Sequence, residues 1–348
     1  MEQLTLDHLD HMDHTIPHKN IVFALAQGIW ELPIFFYKSL TNKFYSNHSL
    51  GAKFEISLLK SFIKNLHYKQ LQIFSPNKSI KYQLLQQSNN PKFEKFNNFA
   101  VEYLPGTIWL REIPDRTPQD PVILFYHGGA YLFQFRSDTH LKYLTKLVEK
   151  LPSNYSILLI DYPLQPHPTP LDYNLQLWDE LFNNLNLENI ITMGDSAGCN
   201  LILETIANLQ QDEELGFKFP KICFKHVLIS PWIDLSLNLP DPRITNLNND
   251  ILDPIWSRRW GEIYHNNSSS LINLEEFKFN KDLIQNSIII VGELEILYEG
   301  VVKFSEKNGI NYIVEKQGIH DQITMENLLG YKINGKIFNQ IIDFIVEK

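Results

Sequence analysis

Six short apolar runs punctuate the chain from its middle onward: Val122–Tyr126, Ser156–Asp161, Asn189–Met193, His226–Ile229, Ser287–Val291 and Tyr312–Val314. Segments of helix length separate most of them. Runs this short, with no polar alternation, suit strands that are covered on both faces. Strand–helix–strand repetition builds βαβ units on a mostly parallel sheet. The stretch FAVEYLPGTIWLREI adds two β-rich runs around Pro105-Gly106, which read as a hairpin. The expected fold class is therefore α/β, a mostly parallel eight-stranded sheet flanked by helices. One long stretch, rich in Asn, Pro and Trp, interrupts the alternation. It reads as an insertion at about 236–285, over the C-terminal edge of the sheet, where open α/β sheets bind ligands.

At 348 residues the chain has room for one large α/β domain with insertions. We divide it into a catalytic part, 96–348, and an N-terminal part, 1–95, of tail and apolar or amphipathic helices. A net charge of -9 gives none of the basic footprint of a nucleic-acid binder. Cys199 and Cys223, the two cysteines, make no disulfide framework and read as buried, reduced thiols. The start of the chain holds His8, His11, His14 and His18. With no second ligand cluster to match them, they read as part of a mobile polar tail and not as a metal site.

Ile21–Leu40 is long enough to cross a bilayer. Gln27, Glu31 and Pro33 sit near its middle, however, and an ionised side chain there costs about 3 kcal/mol. No basic segment precedes it, so it makes a poor secretory signal. The expectation is an apolar helix that packs on the enzyme or lies in a membrane interface. Phe54, Leu58, Phe62 and Leu66 follow at four-residue spacing, with Lys53, Lys60 and Lys64 elsewhere on the same helix. That pattern reads as a helix packed on the core, or as a basic amphipathic surface helix. Trp30, Phe35, Phe36, Trp256 and Trp260 are candidates for lining an apolar pocket as well as for core packing.

The sequence NIITMGDSAGCNLILETIANL carries the chemistry. An apolar strand ends at Met193, Gly194-Asp195-Ser196-Ala197-Gly198 follows, and a helix-forming run begins. G-x-S-x-G in a strand–turn–helix setting is a nucleophile elbow: small flanking residues let the helix pass close to the strand while the serine hydroxyl is pushed out of a strained turn. Ser196 is the expected nucleophile. A serine needs a base, and the base needs an orienting group. In α/β-hydrolases the chain order is serine, acid, histidine. Downstream lie Glu293, Glu295 and Glu299 after one late run and His320 after the next. The expected base is His320. Glu295 is the expected acid, because Glu299 falls where the next helix begins. Upstream, HGGAY follows the run ending at Tyr126. Two adjacent glycines let the main chain approach a substrate, so Gly128, Gly129 and Ala197 are the expected oxyanion donors, with His127 bracing the loop. Tyr131 and Leu132, close behind, are expected to crowd the acyl side. No metal or organic cofactor is required.

HGGAY, GDSAG, SPWIDL and GELEIL followed by a histidine resemble the hormone-sensitive-lipase branch of the α/β-hydrolases, over roughly residues 95–348. LLIDYPLQPHPTPLDYNLQLWDEL and IIIVGELEILYEG look most like the fungal steryl acetyl hydrolase group within it. The resemblance implies a serine carboxylesterase with a helical cap built from the N-terminal segment and the insertion. It also implies a role in deacetylating sterols at a membrane, the endoplasmic reticulum being one candidate and the cytoplasm the alternative. Glu295 stands where many members have Asp. An amidase or formamidase using the same triad is the alternative activity. A ligand receptor on this fold is the non-enzymatic alternative, and it would require a lost histidine. The expected partners are a small apolar ester and a membrane surface, with no nucleic acid.

Overall fold

The computed structural model describes residues 18–42, 45, 48–74, 76–165, 170–184, 187–214, 225–235, 249–267, 272–325 and 334–347. Residues 1–17 of the histidine-bearing tail, Cys223 and the start of the expected insertion lie outside them; His18, read as part of that tail, is instead the first residue of a helix.

Among the described residues one sheet holds seven strands: β1 (Thr107–Arg111), β2 (Val122–Tyr126), β3 (Ser156–Ile160), β4 (Ile190–Asp195), β5 (Lys225–Ile229), β6 (Ser287–Gly292) and β7 (Asn311–Glu315). Their spatial order is β1-β3-β2-β4-β5-β6-β7. Only β1 runs antiparallel to its neighbour; the other pairs are parallel. β2, β3, β4 and β6 are buried along their whole length, as their uninterrupted apolar sequences require. Alternation then sorts side chains to two cores. Val122, Leu124 and Tyr126 face one, and Ile123 and Phe125 the other.

The expected eighth strand is a correction. FAVEY forms no strand; the Ala100 and Tyr103 N–H groups donate to the Trp109 and Thr107 carbonyls and the Trp109 N–H to the Val101 carbonyl, each at 2.9 Å, but these bonds make one isolated bridge, Glu102 to Ile108. Asn98 and Ala100 adopt positive φ there, at 55° and 63°, and the chain folds into turns where an extended run was expected.

Helices cover both faces. α5 (His140–Lys150) and α11 (Gly335–Val346) bury Leu144, Leu147, Phe338 and Ile341 in the core of one face. Against the other lie α6 (Pro170–Asp179), which continues as a π-helix over Glu180–Asn184, α7 (Ala197–Glu214), α8 (Pro254–Asn267) and α10 (Tyr298–Asn308). The four-residue α9 (Lys281–Ile284) leads into β6. α8 and α9 both fall within the expected insertion.

Four helices precede the sheet: α1 (His18–Thr41), α2 (Leu50–Asn65), α3 (Tyr68–Phe74) and α4 (Ile80–Leu85). α1 and α2 form a hairpin. The small side of each faces inward: Ala24, Gly28 and Ser39 on α1, and Ala52, Ser57 and Ser61, with Ile56, on α2. The Ser57 hydroxyl donates to the Lys53 carbonyl at 2.6 Å and lies 3.2 Å from the Ser39 hydroxyl. The Phe54–Leu58–Phe62–Leu66 stripe is thus not the packing face as a unit. Phe54 is exposed and meets Phe36 edge-to-face, with ring centroids 5.5 Å apart, while Leu66 is buried. Nor does Lys60 lie free on the surface: burial pulls its ammonium down to about 8, against the attraction of Asp250 and Asp253.

A bulky residue on the small face should be far more damaging than loss of a large one outside it. Ser61→Leu should cost about 1–3 kcal/mol of stability by overpacking. Phe54→Ser should cost clearly less, both being followed by urea denaturation.

Candidate active site

Every strained turn near Ser196 lies past the C-terminal end of a parallel strand. Ser196 follows β4 with φ 49°, Ser230 follows β5 with φ 45°, and Asp321 lies beyond β7 with φ 53°. Gly129, Ala130 and Tyr131 follow β2 at φ 121°, 54° and 61°. Such backbone costs about 1–3 kcal/mol per residue and persists only where surrounding bonds over-determine it. At Ser196 those bonds are present. Its N–H donates to the Ile229 carbonyl at 2.9 Å, and its own carbonyl accepts from Cys199, Asn200 and Trp232 at 3.1–3.2 Å. Gly198 lets α7 begin this close to β2, because a Cβ there would overlap the Tyr126 carbonyl oxygen.

The structure brings Ser196, His320 and Glu295 together. His320 Nε2 is 3.0 Å from Ser196 Oγ, and His320 Nδ1 is 3.3 Å from Glu295 Oε2. All three are buried. The other Glu295 oxygen, Oε1, accepts from the Ser230 hydroxyl at 2.6 Å and from the Gly292 N–H at 2.5 Å. Glu293 is turned away, pairing with Lys316 at 3.0 Å and accepting from the Gln317 N–H at 2.9 Å. Glu299 lies in the first turn of α10, where a negative charge suits the helix dipole.

The HGGAY loop passes directly over the elbow. A Cβ on Gly128 would overlap the Asp195 carboxylate. His127 is fully buried and stacks on Tyr162 at 4.4 Å. Its Nδ1 bonds the Gly128 carbonyl at 2.7 Å, and its own carbonyl accepts from the Tyr162 hydroxyl at 2.5 Å. Burial pushes its imidazole down to about 4, so the ring is a neutral brace. Asp195 accepts from His140 Nε2 at 3.1 Å. The Arg136 N–H donates to His140 Nδ1 at 3.0 Å, which fixes that tautomer.

Two expectations around the loop are corrected. Tyr131 and Leu132 are wholly buried in the core. The Tyr131 hydroxyl is committed to Asn200 Oδ1 at 2.6 Å, and its ring stacks on Tyr264 at 4.0 Å. These two side chains supply no crowding of the acyl side. The five aromatic candidates do not gather into one pocket. Trp30 is 79 % exposed on α1, whereas Trp256 and Trp260 are core residues. Cys199 is a free, buried thiol whose pKa burial drives well up, leaving it inert.

Three residues that the sequence did not single out complete the site. Ser230 holds the acid. Asp250 accepts from the main chain of both late loops. Asp321 places Oδ2 3.1 Å from His320 Nε2, so that nitrogen sits between a carboxylate and the Ser196 hydroxyl. Burial disfavours a charged His320, but the adjacent Asp321 carboxylate and the Glu295 bond outweigh it and hold the imidazole well above its ordinary range. Burial in turn raises Asp321 to about 7. The SPWIDL segment contains Ser230, but nothing in its spacing gives that hydroxyl a partner 65 residues away.

The chain matches the steryl acetyl hydrolase family model over residues 37–339. It belongs to that family. The mug81 protein of Schizosaccharomyces pombe, which carries a steryl acetyl hydrolase name, is 28 % identical over 80 % of this chain and 81 % of its own length. Steryl acetyl hydrolase 1 of Saccharomyces cerevisiae is 29 % identical over a shorter stretch, 32 % of this chain and 27 % of the yeast protein. Among solved structures, a hormone-sensitive lipase from a metagenome library superposes with TM-score 0.57 at 21 % identity, covering 84 % of this chain and 97 % of the lipase. A mutant of the esterase E40 gives TM-score 0.60 at 18 % identity, over 85 % and 98 %. The fold of this family member is the α/β-hydrolase fold, and the protein is a carboxylic ester hydrolase.

Asp321→Asn keeps the shape and removes the charge beside Nε2. The His320 ring should then titrate at lower pH than in the wild type, as read from its ring-proton NMR resonances. An unchanged titration would mean that Asp321 does not act on the imidazole.

Proposed function

We propose that the protein hydrolyses short-chain, acetyl esters of apolar alcohols, sterol acetates among them, through Ser196, His320 and Glu295. The observation that carries this reading is the 3.0 Å approach of His320 Nε2 to Ser196 Oγ, with Glu295 behind the ring at 3.3 Å. In its neutral form, which the neighbouring Asp321 and Glu295 carboxylates make the scarcer one, His320 takes the hydroxyl proton as Ser196 Oγ attacks the ester carbonyl. The N–H groups of Gly128, Gly129 and Ala197 receive the developing oxyanion; one such donor supplies about 3 kcal/mol of transition-state stabilisation. The tetrahedral species collapses, and the alcohol leaves with the proton from His320. Water, activated by the same ring, attacks the acetyl-enzyme and frees acetate and Ser196. Glu295 carries the imidazolium through both steps, its other oxygen held by the Ser230 hydroxyl and the Gly292 N–H. The preference for acetyl rests on the family's name and not on Tyr131 or Leu132. The receptor alternative presupposed a missing histidine, and His320 is present beside the serine.

The second part of the proposal is that α1 and α2 rest on a lipid surface. α1 is arranged inside out for a water-exposed helix. Its small residues pack on α2, while Val22, Phe23, Ile29, Trp30, Ile34 and Tyr37 are each at least half exposed. Ile21–Thr41 has a mean hydropathy of 1.2. Glu31, the charge in its middle, is met by Asn65 at 3.0 Å and by Lys64 at 3.3 Å, both on α2. The hairpin therefore neutralises its own buried-side charge and offers a broad apolar face, as an interfacial element does. Lying there, it would let a sterol ester reach the enzyme from the bilayer.

Cholesteryl and ergosteryl acetates, with a nitrophenyl ester series of rising acyl length, test the activity. Acetyl should be the optimum, and a fatty-acid-length optimum would overturn the substrate reading. Ser196→Ala should remove turnover by several orders of magnitude, and Glu295→Gln should cost much more kcat than Glu293→Gln. Residual Ser196→Ala activity within about tenfold of wild type would overturn the nucleophile.

For the membrane reading, Phe23→Ser with Trp30→Ser should cut binding to phosphatidylcholine–phosphatidylserine vesicles at least tenfold. Turnover of a water-soluble nitrophenyl acetate should stay within about twofold. Equal vesicle binding by variant and wild type would remove that face from consideration.

A further inference from the structure

Asp250 is fully buried, and its carboxylate accepts three main-chain N–H groups. Oδ1 takes those of His320 at 2.9 Å and Ile251 at 2.7 Å, and Oδ2 takes that of Ile296 at 3.0 Å. His320 carries the ring beside Ser196. Ile296 is the residue after Glu295. One side chain, entering from the insertion, thus grips the backbone of both late loops at the points where acid and base leave it.

The preceding residue ties the same spot to the N-terminal helices. Asn249 accepts from the Asn42 side chain through Oδ1 at 2.7 Å and from the Tyr45 hydroxyl through its carbonyl. Asn42 and Tyr45 lie just past the end of α1. From α2, the Lys60 ammonium is attracted by Asp250 and by Asp253. Asn249-Asp250 is therefore a strap running from the α1–α2 hairpin to the loops that hold His320 and Glu295.

We propose that Asp250 is a positioning residue for the reaction. Its carboxylate sets the His320–Glu295 and His320–Ser196 separations, and the strap makes that alignment depend on how the hairpin is seated. This rests on the Ser196–His320–Glu295 reading. The reasoning is geometric. A shift of 1 Å in a catalytic base costs about a hundredfold in rate, and the other bonds on these loops, Leu294 N–H to the Gly318 carbonyl and Asp321 N–H to the Ser230 hydroxyl, do not hold the main chain at His320 and Ile296 itself. Three charge-assisted N–H bonds to one buried acceptor remove it. Replacing the acid by its amide leaves one carbonyl acceptor and turns an N–H donor toward another N–H, so one of the two loops must let go.

The test uses the full-length protein and a water-soluble acetyl ester, with active sites counted by complete labelling with a fluorophosphonate. Asp250→Asn should lower kcat per labelled site at least tenfold, leave KM within about threefold, and slow labelling in proportion. The His320 ring resonances should also shift, which a purely stabilising role would not cause. Tyr45→Phe loosens the strap without touching the carboxylate, and should give a smaller loss of kcat in the same sense. It carries the test if Asp250→Asn does not fold. Wild-type kcat per labelled site in Tyr45→Phe and in any folded Asp250→Asn would overturn the proposal, as would a rise in KM with kcat unchanged. Ser196→Ala separates the two failures. If that variant is inactive while Asp250→Asn turns over normally, the positioning role alone falls; if Ser196→Ala is active, the triad reading falls first.

Discussion

The first turn of α7 lies against the end of β2, with Gly198 on the Tyr126 carbonyl oxygen, and the arrangement around Ser196 follows from that contact. Because β2 and β4 are neighbours in parallel register, Tyr126 stands opposite Gly194. The loop leaving β2 and the turn leaving β4 therefore emerge side by side. No room remains for a side chain at Gly128, and the HGGAY loop is pressed over Asp195. β5, β6 and β7 continue the same parallel order, so Ser230, Glu295 and His320, which follow them in turn, arrive at the same edge. The strained backbone at Ser196, Ser230 and Asp321 is the local cost of turning so many chains sharply in one place.

That edge also concentrates buried acid groups. Glu295, Asp321, Asp250, Asp195 and Glu315 are all almost wholly out of solvent. A buried carboxylate costs several kcal/mol unless it is paired and hydrogen-bonded. Most of these acids have partners close at hand: Ser230 and the Gly292 N–H for Glu295, three N–H groups for Asp250, and His140 for Asp195. Glu315 is the least compensated, and burial followed by repulsion from Glu295 raises it to about 7. The result is a negative surround for one imidazole. It favours the charged form of that ring, and a hydroxyl and a carboxylate lie within reach of Nε2.

The N-terminal hairpin joins this edge from outside the sheet. Its packing uses small residues and leaves large ones exposed, which reverses the usual sorting of a water-facing helix. It is attached to the enzyme by an apolar cluster, in which Tyr45 and Ile56 pack with Ile251, Leu294 and Ile319, and by polar ties through Asn42, Tyr45 and Trp256, whose indole N–H donates to the Lys64 carbonyl. The hairpin thus has an apolar outer face and a root fixed to the loops that carry Leu294 and Ile319.

The sequence by itself determined the sheet's core strands, because a strand buried on both faces must be apolar at every position, as in Val122–Tyr126 and Ser287–Gly292. It also determined the elbow at Ser196, since only small residues admit a helix start so close to a strand. FAVEY misled because an edge segment has no such demand, and its turns at Asn98 and Ala100 leave no trace in apolar pattern. The choice among three glutamates leaned on spacing. What distinguishes Glu295 is a tertiary fact: its oxygens meet Ser230, Gly292 and His320, whereas Glu293 meets Lys316 at the surface. Which face of α2 is buried was likewise a tertiary decision: Ser39 and Gly28 of α1 take Ser57 and Ser61, and Ile251, Leu294 and Ile319 take Ile56. Asp250 and Asp321 were legible in neither motif nor period. Asp250 lies 70 residues before His320, and only folding brings its carboxylate to that N–H. Asp321 is adjacent in sequence, yet only its positive φ swings the carboxylate back onto the ring. Local sequence encodes what each segment must bury; the meeting of polar groups from different segments is set by the order in which the strands are laid down.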